Sequence, residues 1–212
     1  MDNFKRYYTQ IIREYVPNET YQGRHTIHSE SRIQNGVLYN PGTTGEACVV
    51  DFSEDPYLND LYDEVIEVNH NHRNITDSNV VDKKYILEDV FNVIKDRIPY
   101  DYEYIMNNFQ NEYIGKKITI TLGAYIQSRG GKGVCRHMAL ASSAILEKMI
   151  DQGMLNGSVK YRSNVKNDKD GHAWTEYTTS SGEVGIIDVA QQYYGYLGEC
   201  ETWNHEVWFI LF

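Results

Sequence analysis

The sequence predicts an α+β domain with helices first and an antiparallel sheet after them. Three observations carry this. Between residues 55 and 97 apolar side chains recur at helical spacing, as in Leu58, Leu61, Val65 and Val68. From Ser158 onward the segments become short, alternating or β-branched, and polar turns separate them. Between the two textures lies a long apolar run, residues 134–150, opened by the turn Gly130-Gly131-Lys132-Gly133. Helices followed by strands indicate α+β rather than a parallel α/β sheet. With 212 residues and 41% hydrophobic content, one compact domain is the default. Within it, residues 1–80 read as a helical and loop extension packed on a core formed by residues 81–212.

In chain order, residues 4–15 predict a short amphipathic helix, stopped by Pro17. Residues 18–46 are polar and carry Asn35-Gly36 and Pro41-Gly42 turns, so they read as loop with one or two short strands. Residues 47–52 suit a strand or an extended approach to the next helix. Asp55-Pro56 starts that helix, with proline at its first position, and it runs to about Asn69. His70-Asn71-His72 then belongs to a polar loop. Ser78 or Asp82 caps a second helix, striped by Ile86, Val90, Val93 and Ile94 and ended by Pro99. Residues 100–115 are mixed. Residues 118–122 suit a strand or the lead into a short helix over 122–128. The helix over 134–150 follows, and then strands over 158–165, 171–177, 183–189 and 206–212.

Composition narrows the partners. A formal net charge of −10 argues against nucleic acid or an anionic membrane. A protein or peptide substrate is compatible with it. Eighteen tyrosines supply core and groove surface with polar tips. Cys48, Cys135 and Cys200 form an odd set without framework spacing, which points to a reducing compartment or one reactive thiol. The N-terminus has no apolar signal core, and no run approaches the length of a membrane span. The expected location is cytoplasmic, or outside the cell by a route without a classical signal peptide.

Cys135 is the centre of the functional reading. It falls in the first turn of a helix, where free N–H groups and the helix dipole favour a thiolate. Its own backbone N–H is a candidate oxyanion donor. The base comes from downstream. If residues 178–182 form a hairpin turn, Tyr177 pairs with Glu183 and His172 falls directly opposite Asp188. Directly opposed residues share a face, with Cβ atoms about 4.5–5.5 Å apart. The carboxylate then orients the imidazole, which can take the thiol proton and return it to a leaving amine. Ala139, one turn after Cys135, is small enough to let the sheet come close.

Other residues take lesser places. His137 points about 200° away from Cys135 on a helix, so it is a polar contact rather than the base. Gln127 is a candidate second oxyanion donor. Arg136, Trp174 and Gln191 are candidates for the substrate cleft. The cysteine and histidines lack paired metal-ligand spacing, so neither metal nor cofactor is expected. The histidines at 25, 28, 70 and 72 read as solvated loop residues. The Gly-rich turn does not match a phosphate-binding loop.

The motifs Gly133-Val134-Cys135-Arg136-His137-Met138-Ala139, Gly171-His172-Ala173-Trp174 and Gly185-Ile186-Ile187-Asp188 together resemble the transglutaminase-like cysteine-protease superfamily. Ile98-Pro99-Tyr100-Asp101 is similar to the tyrosine that often precedes the cysteine motif in that group. The resemblance covers about half the chain, from Asp82 to Val189. It implies a papain/transglutaminase-like core, a nucleophile helix packed on an antiparallel sheet with extra N-terminal helices. It also implies Cys135 as nucleophile, His172 as base and acid, and Asp188 as the orienting carboxylate. The expected activity is that of a cysteine protease or protein glutamine deamidase. Transfer to an amine, a non-catalytic interaction module and a metal-dependent hydrolase are the alternatives. Size and the habit of the family suggest a bacterial effector as one possible setting.

Overall fold

A computed structural model describes residues 20–21, 23–27, 32–39, 47–109, 119–166, 170–199 and 203. The fold is α+β. Five strands, β1 (Thr20–Tyr21), β2 (Arg24–Ile27), β3 (Val37–Tyr39), β4 (Ala47–Val50) and β5 (Thr119–Thr121), form a mixed sheet in that order. A second sheet is an antiparallel meander of β6 (Gly157–Lys166), β7 (Asp170–Thr179), β8 (Val184–Asp188) and β9 (Tyr193–Tyr196). The helices are α1 (Pro56–Arg73), α2 (Ile86–Arg97), α3 (Tyr102–Phe109), α4 (Leu122–Ser128) and α5 (Cys135–Asp151). The predicted helix over 4–15 and strand over 206–212 lie outside the described residues.

Helix α1 begins where the sequence indicates. Asp55 is its N-cap and Pro56 its first residue, with Asp55 Oδ1 accepting the Leu58 N–H at 3.1 Å. The other oxygen, Oδ2, accepts the Gly123 N–H at 2.6 Å, which ties α1 to α4. A Cβ at Gly123 would fall 2.1 Å from Asp55 Oδ1, so the contact demands glycine. Contrary to expectation, the helix continues past Asn69 to Arg73, so His70 and His72 belong to its last turn. Asn74 ends it in the left-handed conformation (φ 55°), and basic side chains suit the negative end of the dipole.

Neither Ser78 nor Asp82 caps α2, which starts at Ile86 after the non-capping Tyr85. The Asp82 carboxylate is engaged in its own turn, accepting the Lys84 N–H at 3.1 Å. Helix α3 was not anticipated. Its signal is Asp101, whose Oδ1 accepts the Tyr104 N–H at 2.9 Å. At 119–122 both expected readings hold in sequence, because β5 ends at Thr121 and Thr121 Oγ1 caps α4 through Ala124 N–H at 3.3 Å.

Helix α5 is buried along most of its circumference and packs on β6 and β7. One apolar cluster includes Leu58 and Val65 of α1, Val90 of α2, Leu146 of α5 and Ile187 of β8, so the core runs through both sides of residue 80. The Tyr161 hydroxyl donates to the Tyr39 hydroxyl at 2.9 Å, a buried bond that links the two sheets. Among the described residues no helix is long and apolar enough to cross a membrane.

Candidate active site

The site is assembled where the start of α5 meets β7. Val134 is the N-cap and Cys135 the first helical residue. Gly130 and Gly131, at φ 66° and 83°, make the turn that delivers them. Gly133 has a different task. A Cβ there would fall 2.7 Å from Ile98 Cγ2, and its absence lets the 98–101 segment lie against the helix start. Two backbone bonds hold that approach, Gly133 N–H to Pro99 O at 3.1 Å and Asp101 N–H to Gly133 O at 3.0 Å. An ion pair from Lys132 to Asp101 at 2.7 Å adds to them.

Cys135, Ala139 and Ser143 occupy one face of α5 at four-residue spacing. Their small side chains admit β7. Thr175 Oγ1 of β7 lies 2.9 Å from Ser143 Oγ and donates to the Ala139 carbonyl at 3.0 Å. This clamp brings the preceding part of β7 alongside Cys135. The Cys135 thiol faces the Gly171 carbonyl at 4.0 Å, one residue before His172.

His172 Nε2–H donates to Asp188 Oδ2 at 2.6 Å, with both side chains almost wholly buried. With Nε2 bonded to the carboxylate, Nδ1 is the nitrogen on the other side of the ring. Burial works against the charged imidazole. Hydrogen bonds from the imidazole to Asp188 and Cys135, with the charges of both, outweigh it and raise His172 to about 9. Asp188 has further donors: Gln191 N–H to Oδ1 at 3.1 Å and Trp203 Nε1–H to Oδ2 at 2.9 Å.

The predicted pairing needs a correction. His172 and Asp188 meet, but they are not directly opposed. The β7–β8 register is Thr178↔Val184, Tyr177↔Gly185, Glu176↔Ile186 and Thr175↔Ile187. Continued one step, it sets Trp174 opposite Asp188 and places His172 diagonally, at a Cβ spacing of up to about 7–8 Å. The turn is therefore 179–183, not 178–182. Thr179 Oγ1 accepts the Glu183 N–H at 3.0 Å, and Gly182 takes the positive φ of 89° that this turn requires. The displacement changes the partner by two residues, which preserves the face. The length of the histidine side chain spans the diagonal.

The remaining candidates separate. Trp174 is buried and stacks on His172, ring centroids 5.8 Å apart. Gln191 reaches Asp188 through its backbone. Arg136 is half-buried and acts electrostatically on Tyr100 and Tyr161. Gln127 is exposed on the last turn of α4, and no described hydrogen bond joins it to Cys135 or His172. His137 is wholly buried, with Nδ1 accepting the Val134 N–H at 3.1 Å and its ring 4.5 Å from Tyr125. It shapes the helix start.

Sequence reasoning missed Trp203, which has no motif around it and lies fifteen residues past Asp188. It also gave Tyr100 no role beyond resemblance. Burial, with the charges of Cys135 and Asp188 among its neighbours, holds the Tyr100 phenol well above its ordinary range, so it stays a neutral hydroxyl near the site.

Cys48 and Cys135 are buried thiols. Among the described residues no group of three or more His, Cys, Asp or Glu is placed to hold a metal ion. Two described cavities lie away from the thiol. One of about 250 Å³ is lined by Ile33, Phe52 and Glu147 toward the far end of α5, and another of about 750 Å³ lies along α1. At Cys135 itself the surface is nearly closed, the residue being 9% exposed. No family model, curated protein or solved structure matches the chain.

Proposed function

We propose that this protein is a thiol-dependent amide hydrolase with a papain/transglutaminase-like core, acting on a protein or peptide. One observation carries the reading. His172 is bonded through Nε2 to a buried carboxylate, and the helix-start thiol of Cys135 lies against the Gly171 carbonyl, one residue before that imidazole.

The chemistry follows from those positions. Nδ1 of His172 takes the thiol proton, and Cys135 Sγ attacks the carbonyl carbon of an amide. The carbonyl π electrons move to oxygen, for which the backbone N–H of Cys135 is the candidate donor. The oxyanion collapses, the C–N bond breaks, and His172 gives its proton to the departing nitrogen. A thioester on Cys135 remains. Water, deprotonated by His172, attacks it, releasing a carboxylic acid and restoring the thiol. With a glutamine side chain the departing group is ammonia; with a peptide bond it is an amine. Asp188 holds the imidazole and stabilises its cationic form without taking the proton.

The test is labelling by a thiol-reactive amide mimic across pH, with peptide and glutamine-amide turnover followed in parallel. Rapid, selective modification of Cys135 that is lost in His172→Ala supports the reading. Labelling of Cys135 no faster than a free thiol, and unchanged in His172→Ala, overturns it.

A further inference from the structure

We propose that Trp203 is a positioning residue of this site: its indole N–H pins the carboxylate oxygen that serves His172, and its ring roofs the His172–Asp188 pair against water. The inference rests on the functional reading above and adds a residue to it.

The geometry is specific. Trp203 Nε1 lies 2.9 Å from Asp188 Oδ2, the same oxygen that accepts from His172 Nε2 at 2.6 Å. The second oxygen, Oδ1, takes the Gln191 N–H. The carboxylate is thus held by three donors from three places in the chain, and its plane is set. The indole ring continues a layer of aromatics. It stacks on Tyr193 at 5.9 Å and 24°, and meets Trp174 edge-on at 5.7 Å. Trp174 in turn stacks on His172. Tyr193 is the β9 partner of Asp188, so the layer covers the carboxylate from the β9 side.

An indole suits both tasks. It donates and never accepts, so it cannot compete for the imidazole proton. Its large apolar area lowers the local dielectric, where charge-assisted bonds gain strength. A serine or asparagine would supply the bond without the roof.

The two tasks act on His172 in opposite senses. The bond withdraws basicity from Oδ2 and weakens its pull on the imidazole proton. Excluding water costs the imidazolium its hydration but strengthens the pull of Asp188 and Cys135, and at His172 that pull outweighs burial. The other groups facing the pair are Cys135 from α5, Tyr100 from the segment before α3 and Tyr193 from β9, with Arg136 and Tyr161 one step further out beside Tyr100 and Cys135. All of these stay in place in the variants below.

The experiment is the titration of the His172 imidazole by NMR in the full chain, beside the pH dependence of Cys135 alkylation. Trp203→Phe keeps a ring and removes the donor, and His172 is expected to titrate higher than in the parent by about half a unit to one unit. Trp203→Ala removes both, and His172 is expected to fall toward its ordinary value. Should Trp203→Ala not fold, Trp203→Asn, which keeps a donor but no ring, takes its place with the same direction. Opposite shifts support the proposal. Titrations equal to the parent, or shifts of one sign in both variants, overturn it. A parent without amide turnover would defeat the functional reading, and the titrations would still decide the place of Trp203.

Discussion

The two sheets share an order and differ in their connections. In both, each strand pairs with the next along the chain, but in the β6–β9 meander every pairing is antiparallel and every connection is short. In the β1–β5 sheet, β4 at residues 47–50 pairs in parallel with β5 at 119–121, and β2 pairs in parallel with β3. The first sheet carries His172 and Asp188. The second carries no member of the site, yet its last strand leads directly into α4 and the turn before Cys135. The proposed chemistry falls on the sheet of local pairings, where register is set by one turn. The sheet of distant pairings is tied to the meander by Tyr161–Tyr39, and the helices that follow its strands β4 and β5 are joined by Asp55–Gly123. Loss of function and loss of stability should therefore separate between them.

Cys135→Ala should break the first region with the largest effect. Turnover is expected to fall by about 10⁴-fold or more, with an unchanged far-UV spectrum and little change in melting temperature. Retained turnover in purified protein would refute a covalent role. Asp188→Asn comes next, because the amide cannot stabilise the imidazolium. A loss of about 10²–10⁴-fold in kcat/KM is expected, with His172 titrating nearer its ordinary value. If the pH profile of this variant matched the parent, Asp188 would not be orienting His172.

Gly123→Ala should break the second region. The added methyl meets Asp55 Oδ1 and Tyr57 Cβ within 2.6 Å, so backbone must move. Destabilisation of about 2–4 kcal/mol by urea unfolding is expected, with thiol reactivity per folded molecule retained. Reduced reactivity at full folding would show that the two regions are more tightly coupled.

A pH effect sharpens the same contrast. His172 is raised from 6.5 to about 9. A raised base contributes stability that is fully present below about 6.5 and is lost as pH rises through about 9. Unfolding free energy should decline over that window, by an amount on the order of 3 kcal/mol, and the decline should vanish in His172→Gln. Amide turnover should fall on the same limb, since the proton for the leaving nitrogen is then missing. The smallest effect is expected of Tyr161→Phe. Removing the Tyr161 hydroxyl costs about 1 kcal/mol with kcat/KM unchanged, measured by thermal unfolding and turnover on one preparation.

Much of the site was legible because its cues are local. The spacing of residues 134–150 specifies a helix, Gly130 and Gly131 its approach, and Cys135 its first turn. Two-residue alternation put His172 and Asp188 on one face, and that parity survived a mistaken turn. The exact partner did not survive it, since the register depends on how Thr179, Gly182 and Glu183 close the loop. The extension of α1 to Arg73 was missed for a related reason. Polar His70-Asn71-His72 reads as loop until Asn74 is seen to cap the helix by its backbone conformation.

What the chain carries in its local pattern, then, is the α+β class, the helix that presents Cys135, and the shared face of His172 and Asp188. Periodicity and turn chemistry act over a few residues, so they can be read without the fold. Three things required the packed molecule: the diagonal reach of His172, the parallel pairing of β4 with β5, and the donation from Trp203 to Asp188. Each joins segments through contacts that no neighbouring residue announces.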